Sequence, residues 1–328
     1  MESDGPSAFR SLYAIRWPFC VSCVVTILST NWAVFLVQKR QLALDFYAIY
    51  PAATAGSYEG LFAYPPATLL LLWPFGRLEP TTAFVVWSCL SATAFVAVSR
   101  LLIDGRLALL SIFSPPVARA LVQGQTSVIV GAIGLLTAVT GNWVFVGIAL
   151  GLKPQLFWLA PAYLLFNRKW RALTTLVLAA IAINAVALLI FPVSLGDWFA
   201  GMAELKAIVF NSGIGGSVIG IPGMLAAYGW NIIGTAIFGA IIAILILRTA
   251  RGVADVNFAS AIAAPYSIGY DLAPAMPQFL GRVRDWSSAL IYLLLSAATL
   301  FAPGPMFAAL LLIAERHSAR AMCSRTSE

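Results

Sequence analysis

The chain has 328 residues, of which 61% are hydrophobic and only 10% charged, and its mean hydropathy is +0.89; that composition excludes a soluble domain and defines a polytopic integral membrane protein. A net charge of +7 would point to nucleic acid in a soluble protein, but here it reads as the lysines and arginines that set topology, with membrane lipids and no nucleic acid as partners. Spans of about 20 residues cross a hydrocarbon core of about 30 Å, and backbone groups in lipid must be bonded internally, so an all-α polytopic bundle of roughly 9–11 transmembrane helices is expected.

Arg10 and Arg16 precede an apolar run from Trp17 to Val37, too long for a signal-peptide core. It reads as an uncleaved signal anchor, with residues 1–16 as a cytoplasmic tail. The first loop, 38–63, is then extracytoplasmic. Within it Asp45, Tyr47 and Tyr50 share a short interfacial helix, and Tyr64-Pro65-Pro66 stops that helix. An acid lined by aromatic rings at a membrane surface suits a sugar, whose C–H faces stack on rings and whose hydroxyls need an acceptor or a base. Span two, Leu61 to Phe75, is expected to return the chain to Arg77 inside, and Pro80 opens span three, Thr81 to Ser99.

Leu107 to Val117 is too short to cross and ends at Ser114-Pro115-Pro116, before Arg119 and the polar stretch Gln123-Gly124-Gln125-Thr126-Ser127, so a broken or re-entrant helix is expected. Ile129 to Thr140 leads out to Gly141-Asn142, and Trp143 to Phe166 returns to a basic cluster, Arg168, Lys169 and Arg171, the firmest cytoplasmic mark in the sequence. Ala172 to Phe191 crosses again to a second loop, 192–217, which holds an amphipathic piece at Trp198 to Val209 and a Gly/Ser stretch around Asn211. Ile219 to Tyr228 and Asn231 to Leu247 follow, ending at Arg248 and Arg251 inside. Phe258 to Phe279 is cut by Pro265, Pro274 and Pro277 and holds Tyr270 and Asp271. Trp286 to Phe301 and Met306 to Ala314 complete a single membrane domain, 17–314, before a basic cytoplasmic tail, 315–328. On this topology twelve basic residues fall inside and five outside, the sign that the positive-inside rule requires.

Two ionisable residues carry most of the chemical argument. Asp45 is either the N-cap of a helix beginning at Phe46 or a functional acid, with Lys39 and Arg40 before it and tyrosines after it, where a lipid phosphate would sit. Lys153 lies eleven residues after Asn142 and fourteen before Asn167, near mid-membrane, and Pro154 is expected to break its helix so that freed backbone groups line a cavity. It reads as a partner for a lipid-linked phosphate, or as half of a structural pair with an acid or carbonyl. Gln123, Gln125, Thr126 and Ser127 are polar candidates or helix-packing groups. Tyr270 and Asp271 supply a second acid in the cavity or a helix cap, and Asn211 is a further candidate. With His317 alone in the tail, and Cys20, Cys23, Cys89 and Cys323 in apolar sequence or the tail, histidine catalysis, a metal site and a disulfide framework are not expected.

The order Asp45-Phe-Tyr-Ala-Ile-Tyr50, Phe62-Ala-Tyr-Pro-Pro66, Trp73-Pro-Phe75, Gly124-Gln125, Gly147 to Lys153-Pro154, Arg168-Lys-Trp-Arg171 and Pro265 through Tyr270-Asp271-Leu272 resembles glycosyltransferase family 87 over residues 15 to 280. That resemblance implies a GT-C-like bundle and an inverting, polyprenyl-phosphate-mannose-dependent α-mannosyltransferase, working on a lipid or glycan acceptor at the outer face of the cell membrane. It implies Asp45 as the general base and Lys153, with Arg40, as cations for the departing phosphate, without a metal or other cofactor. The chain departs from the family in its short, proline-broken later spans and in having no histidine outside the tail, where some relatives use one in the cavity. The alternatives are a transporter or flippase with Lys153 and Asp271 at broken helices, and a catalytically inactive relative.

Overall fold

The computed structural model describes residues 43–281, except 61, 212–219, 228, 230, 265 and 266, together with Ser296. Lys39, Arg40, the first span, the Gly/Ser stretch after Asn211 and nearly all of the last two spans lie outside the described residues. Within them every regular element is helical, as the composition requires. α1 (Leu44–Ala55) is followed by α2 (Ala67–Leu72), a 3-10 turn at Phe75–Arg77, α3 (Pro80–Ser99), α4 (Gly105–Ser111), α5 (Pro115–Gln123) and α6 (Ser127–Thr140). α7 (Val144–Leu152) passes into a 3-10 turn at Pro154–Leu156, ahead of α8 (Ala160–Phe166), α9 (Trp170–Ile190), α10 (Leu195–Asn211), α11 (Ile221–Ala227) and α12 (Ile232–Arg248). α13 (Val253–Ala263), a 3-10 turn at Gly269–Ala275 and α14 (Met276–Gly281) close the series.

Among these, α3 and α9 are long and apolar enough to cross a membrane. α3 starts where Glu79 accepts a hydrogen bond from Thr82 N at 3.0 Å and Pro80 fills the first turn. Ala83, Trp87, Ser91, Phe95 and Val98 are buried along one stripe at helical spacing, while Val85, Val86 and Leu90 face outward. α9 buries little beyond Leu176 and Ala187 and exposes Leu178, Ile181 and Leu189, the last at 87%. So much apolar surface on one helix belongs against lipid. α13 is the opposite case: all of its residues, including Asp255, Asn257 and Ser260, are buried. It is a core helix wrapped by the others.

Two stretches expected to cross do not. In place of a span from 61 to 75 there is α2, six residues long and therefore about 9 Å, with Ala67, Leu69 and Leu72 buried in protein. Tyr50 Oη donates to Leu78 O at 2.5 Å, and Gly76 lies so close to α1 that a Cβ there would meet Ala53 O at 2.3 Å. Arg77 thus sits beside α1 and not across the bilayer from it. The prolines at 65, 66 and 74 cut the apolar run into pieces too short to span, and the pieces fill the core instead.

Residues 143–166 form a hairpin. α6 and α7 are joined by a turn in which Thr137 Oγ1 donates to Asn142 O at 3.0 Å and accepts from Val146 N at 3.2 Å. α7 then runs alongside α9 in the same direction: a Cβ on Gly147 would lie 2.4 Å from Leu176 O, and one on Gly151 2.6 Å from Ile183 Cγ2. Two glycines four residues apart let the backbones approach as they do in tightly packed membrane helices. At Lys153-Pro154 the chain reverses, and α8 comes back until the Tyr163 ring lies 5.7 Å from that of Trp143. Asn142 and the 168–171 basic cluster are consequently on one side, and Lys153 is at the tip.

Candidate active site

Three chain breaks converge on one polar cluster. α5 ends at Gly124, whose φ of 73° is left-handed and whose missing side chain leaves room for Phe46, since a Cβ there would lie 2.5 Å from Phe46 Cβ. Gln125 follows this turn, and Ser127 opens α6. The second break is Lys153, the residue that caps α7. The third is the 3-10 turn at Gly269–Ala275, which carries Tyr270 and Asp271.

Lys153 is 1% exposed, and its Nζ lies 2.9 Å from Asp271 Oδ1 in a buried ion pair. It also donates to Ser127 Oγ at 2.5 Å and to Gln125 Oε1 at 3.2 Å, and lies over the rings of Tyr64 and Tyr270 at 5.6 and 5.2 Å. Asp271 accepts from Ser127 Oγ at 2.8 Å through Oδ1, and from Ile268 N at 3.1 Å and Ser267 Oγ at 3.2 Å through Oδ2. One oxygen of Asp271 thus faces Lys153, and the other caps the start of its own 3-10 turn at Ile268, not the helix that follows. For Lys153 the structure shows the pairing with an acid.

Gln125 connects this pair to Asp45. Its amide nitrogen donates to Asp45 Oδ2 at 2.6 Å and to Tyr270 Oη at 3.0 Å, while its oxygen accepts from Lys153 and, at 3.0 Å, from Tyr64 Oη. The orientation is dictated by the partners: a flipped amide would set oxygen against the Asp45 carboxylate and nitrogen against the lysine. Lys153, held by Asp271, thereby fixes which face of Gln125 meets Asp45.

Asp45 is the second residue of α1, not its N-cap; Ala43 occupies that place. Part of the residue stays exposed, but its carboxyl is desolvated, and that raises its pKa above the ordinary carboxylate value despite the Gln125 hydrogen bond and the charges of Lys153 and Arg119, which act the other way. Desolvation, reinforced by the Asp45 charge, likewise raises Tyr64, so its hydroxyl keeps its proton and donates to Gln125.

The carbonyls around the Pro154 break are taken by side chains of neighbouring elements. Leu152 O accepts from Thr68 Oγ1 at 2.5 Å, Gly151 O from Asn184 Nδ2 at 3.2 Å and Leu156 O from Asn257 Nδ2 at 2.9 Å. Asn257 Nδ2 also donates to Asp271 O at 3.2 Å, so one side chain of the core helix α13 ties the Lys153 break to the Asp271 break. The sequence reading passed over Asn257; an amide inside an otherwise apolar helix was the available signal.

Of the residues singled out from sequence, Asp45, Tyr64, Gln125, Lys153, Tyr270 and Asp271 are brought together. Tyr47 is exposed and packs on Phe46 and Phe84, and Tyr50 ties α1 to Leu78; neither is bonded to the cluster among the described contacts. Asn211 is the last residue of α10, and Arg40 lies outside the described residues. Arg119, which was not among the site residues singled out from sequence, also stands at the cluster, with its guanidinium carbon 5.7 Å from the Tyr270 ring centroid.

A helical bundle with apolar, lipid-facing helices around a cluster in which a carboxylate, a glutamine and a lysine–aspartate pair are bonded together defines a membrane protein with a polar site among its helices. The family model for glycosyltransferase family 87 matches residues 62–266, more than half of the chain, and the chain belongs to that family. No curated protein and no solved structure matches the chain. The match is narrower than the resemblance over 15 to 280: it includes Tyr64, Gln125, Lys153 and Asn211 and leaves Asp45, Tyr270 and Asp271 outside. Membership implies a glycosyltransferase, which acts on a sugar donor and an acceptor.

Proposed function

We propose that the chain transfers a sugar, mannose in the simplest case, from a polyprenyl-phosphate donor to a hydroxyl of a lipid or glycan acceptor at the extracytoplasmic face of the cell membrane. Asp45 is the general base. The observation that supports this is the Asp45 carboxylate itself: partly exposed, held by Gln125 at 2.6 Å, and raised in pKa by desolvation, which makes it a stronger base at neutral pH. Asp45 takes the acceptor proton as the acceptor oxygen bonds to the anomeric carbon. The bond from that carbon to the phosphate oxygen breaks, polyprenyl phosphate leaves with the electron pair, and the centre inverts. A leaving phosphate is already a stable anion, so the scheme calls for no strong general acid, metal or other cofactor.

Lys153 serves this scheme through Gln125, not by direct contact with the donor, since Asp271 already holds it. The transporter alternative shares the observation that Lys153 and Asp271 stand at helix breaks, but family membership favours transfer chemistry.

The test is the full chain in liposomes, offered labelled polyprenyl-phosphate mannose, polyprenyl-phosphate glucose or nucleotide mannose with a crude lipid acceptor fraction. Label is expected to move from a lipid-phosphate donor only. Transfer from the nucleotide sugar would overturn the donor class, and transfer from none would overturn the reading.

A further inference from the structure

An inverting transfer needs a base on one side of the anomeric carbon and, on the other, a cation that steadies the departing phosphate. Lys153 is poorly suited to be that cation. It is 1% exposed and paired to Asp271 at 2.9 Å, so a phosphate reaching it must displace a carboxylate from a desolvated site.

Arg119 reaches the same cluster from another helix. It lies on α5, partly exposed, and its Nε donates to Gln123 Oε1 at 3.2 Å, one helical turn on. Its guanidinium lies over the ring of Tyr270 at 5.7 Å. The hydroxyl of that same ring accepts from Gln125 at 3.0 Å, and Gln125 is the residue that holds Asp45 at 2.6 Å. One hydrogen-bonded path thus runs from the ring beneath Arg119 to the carboxylate of Asp45. Arg119 is also close enough for its charge to act on Asp45.

The side chain suits the task. A guanidinium stays charged at any working pH, is more weakly hydrated than an ammonium, and offers a planar fork that fits two phosphate oxygens. Its plane here is set by the Gln123 bond and the Tyr270 ring, so little rotamer freedom remains to be lost on binding.

We infer that Arg119 is the anion-binding residue of this site and takes the phosphate of a prenyl-phosphate ligand beside Asp45. Its place in the reaction rests on the glycosyltransferase reading; its ability to hold a prenyl phosphate does not. In that reaction Asp45 receives the acceptor proton, and Arg119 receives the charge of the phosphate that departs.

The experiment titrates the full-length protein in detergent with geranylgeranyl phosphate, using geranylgeraniol as the uncharged control, and reads binding by native mass spectrometry. Wild type is expected to prefer the phosphate. Arg119→Gln should weaken phosphate binding by about tenfold or more, the loss of a charge-assisted pair, while alcohol binding is unchanged. Arg119→Lys should recover part of the loss. Equal binding of phosphate and alcohol by wild type would overturn the inference, as would an Arg119→Gln protein that keeps its phosphate affinity or loses both ligands alike. Sugar transfer measured in parallel separates the two ideas. Arg119-dependent phosphate binding without transfer by wild type leaves the subsite standing and removes the glycosyltransferase reading. Transfer with an unchanged donor KM in Arg119→Gln does the reverse.

Discussion

Lys153 and Asp271 meet at 2.9 Å as a buried ion pair, each at a point where a helical segment breaks. The backbone suits both charges. Lys153 stands at the C-terminal end of α7, where a cation is favoured, and Asp271 is bonded to Ser127, the first residue of α6, where an anion is favoured. A pair supported in this way can orient a neutral neighbour, and the neighbour is Gln125.

Breaking the pair from one side leaves a buried charge without its partner. Lys153→Met is expected to lower stability by about 3–5 kcal/mol, seen as a large fall in the thermal unfolding midpoint in detergent. The double variant Lys153→Met with Asp271→Asn should regain much of the loss, since no unpaired charge remains. A single variant as stable as wild type would contradict the pairing.

Gln125→Glu keeps an acceptor for Lys153 and Tyr64 but brings a second carboxyl to the 2.6 Å contact with Asp45. In the proposed transfer Asp45 must be deprotonated to accept the proton, and its pKa is already raised by desolvation, so the rate should climb with pH along a limb displaced above the ordinary carboxylate range. Two carboxyls in contact release their second proton later still. The limb should therefore move to higher pH in the variant. An unmoved limb in a folded variant would separate Gln125 from the base.

Asn257→Ala removes the donor shared by Leu156 O and Asp271 O. Loss of these buried hydrogen bonds should cost about 1–3 kcal/mol, and the Lys153 and Asp271 turns should lose their common anchor. Thermal unfolding and donor turnover should fall together. A fall in turnover alone, with stability intact, would assign Asn257 a role other than anchoring.

Local signals in the sequence were legible, and long-range ones were not. Lys153-Pro154 announces a helix break because both the proline and the charge act where they stand. That Asp271 is the partner depends on α13 bringing two distant turns together through Asn257, and no local pattern records it. The stretch 143–166 has the length and hydropathy of a span, yet it folds back, because hydropathy counts apolar residues without recording direction. Arg119 was passed over as a site residue for a related reason: a basic residue between two breaks counts toward topology until its contacts with Tyr270 and Gln123 are seen.

The hairpin has a direct test. In a background with the four cysteines replaced by serine, Asn142→Cys and Lys169→Cys, both at exposed positions, should react with a membrane-impermeant maleimide from the same side of sealed vesicles. Labelling from opposite sides would restore 143–166 as a span.

Desolvation makes the folded protein hold the Asp45 proton more tightly than the unfolded chain does. The stability this contributes is complete below the ordinary carboxylate pKa and is lost as pH rises through the folded-state value. At neutral pH Asp45→Asn, which keeps an oxygen to accept from Gln125, should therefore unfold no earlier than wild type.

That stability makes Asp45→Asn the decisive variant for function. Membranes holding equal amounts of wild type and Asp45→Asn would be given labelled polyprenyl-phosphate mannose and a crude lipid acceptor fraction, and label in the acceptor followed with time. Loss of a general base should slow transfer by about 10²–10⁴-fold while the variant stays folded in the membrane. Transfer at the wild-type rate by Asp45→Asn would contradict the assignment of Asp45 as the base.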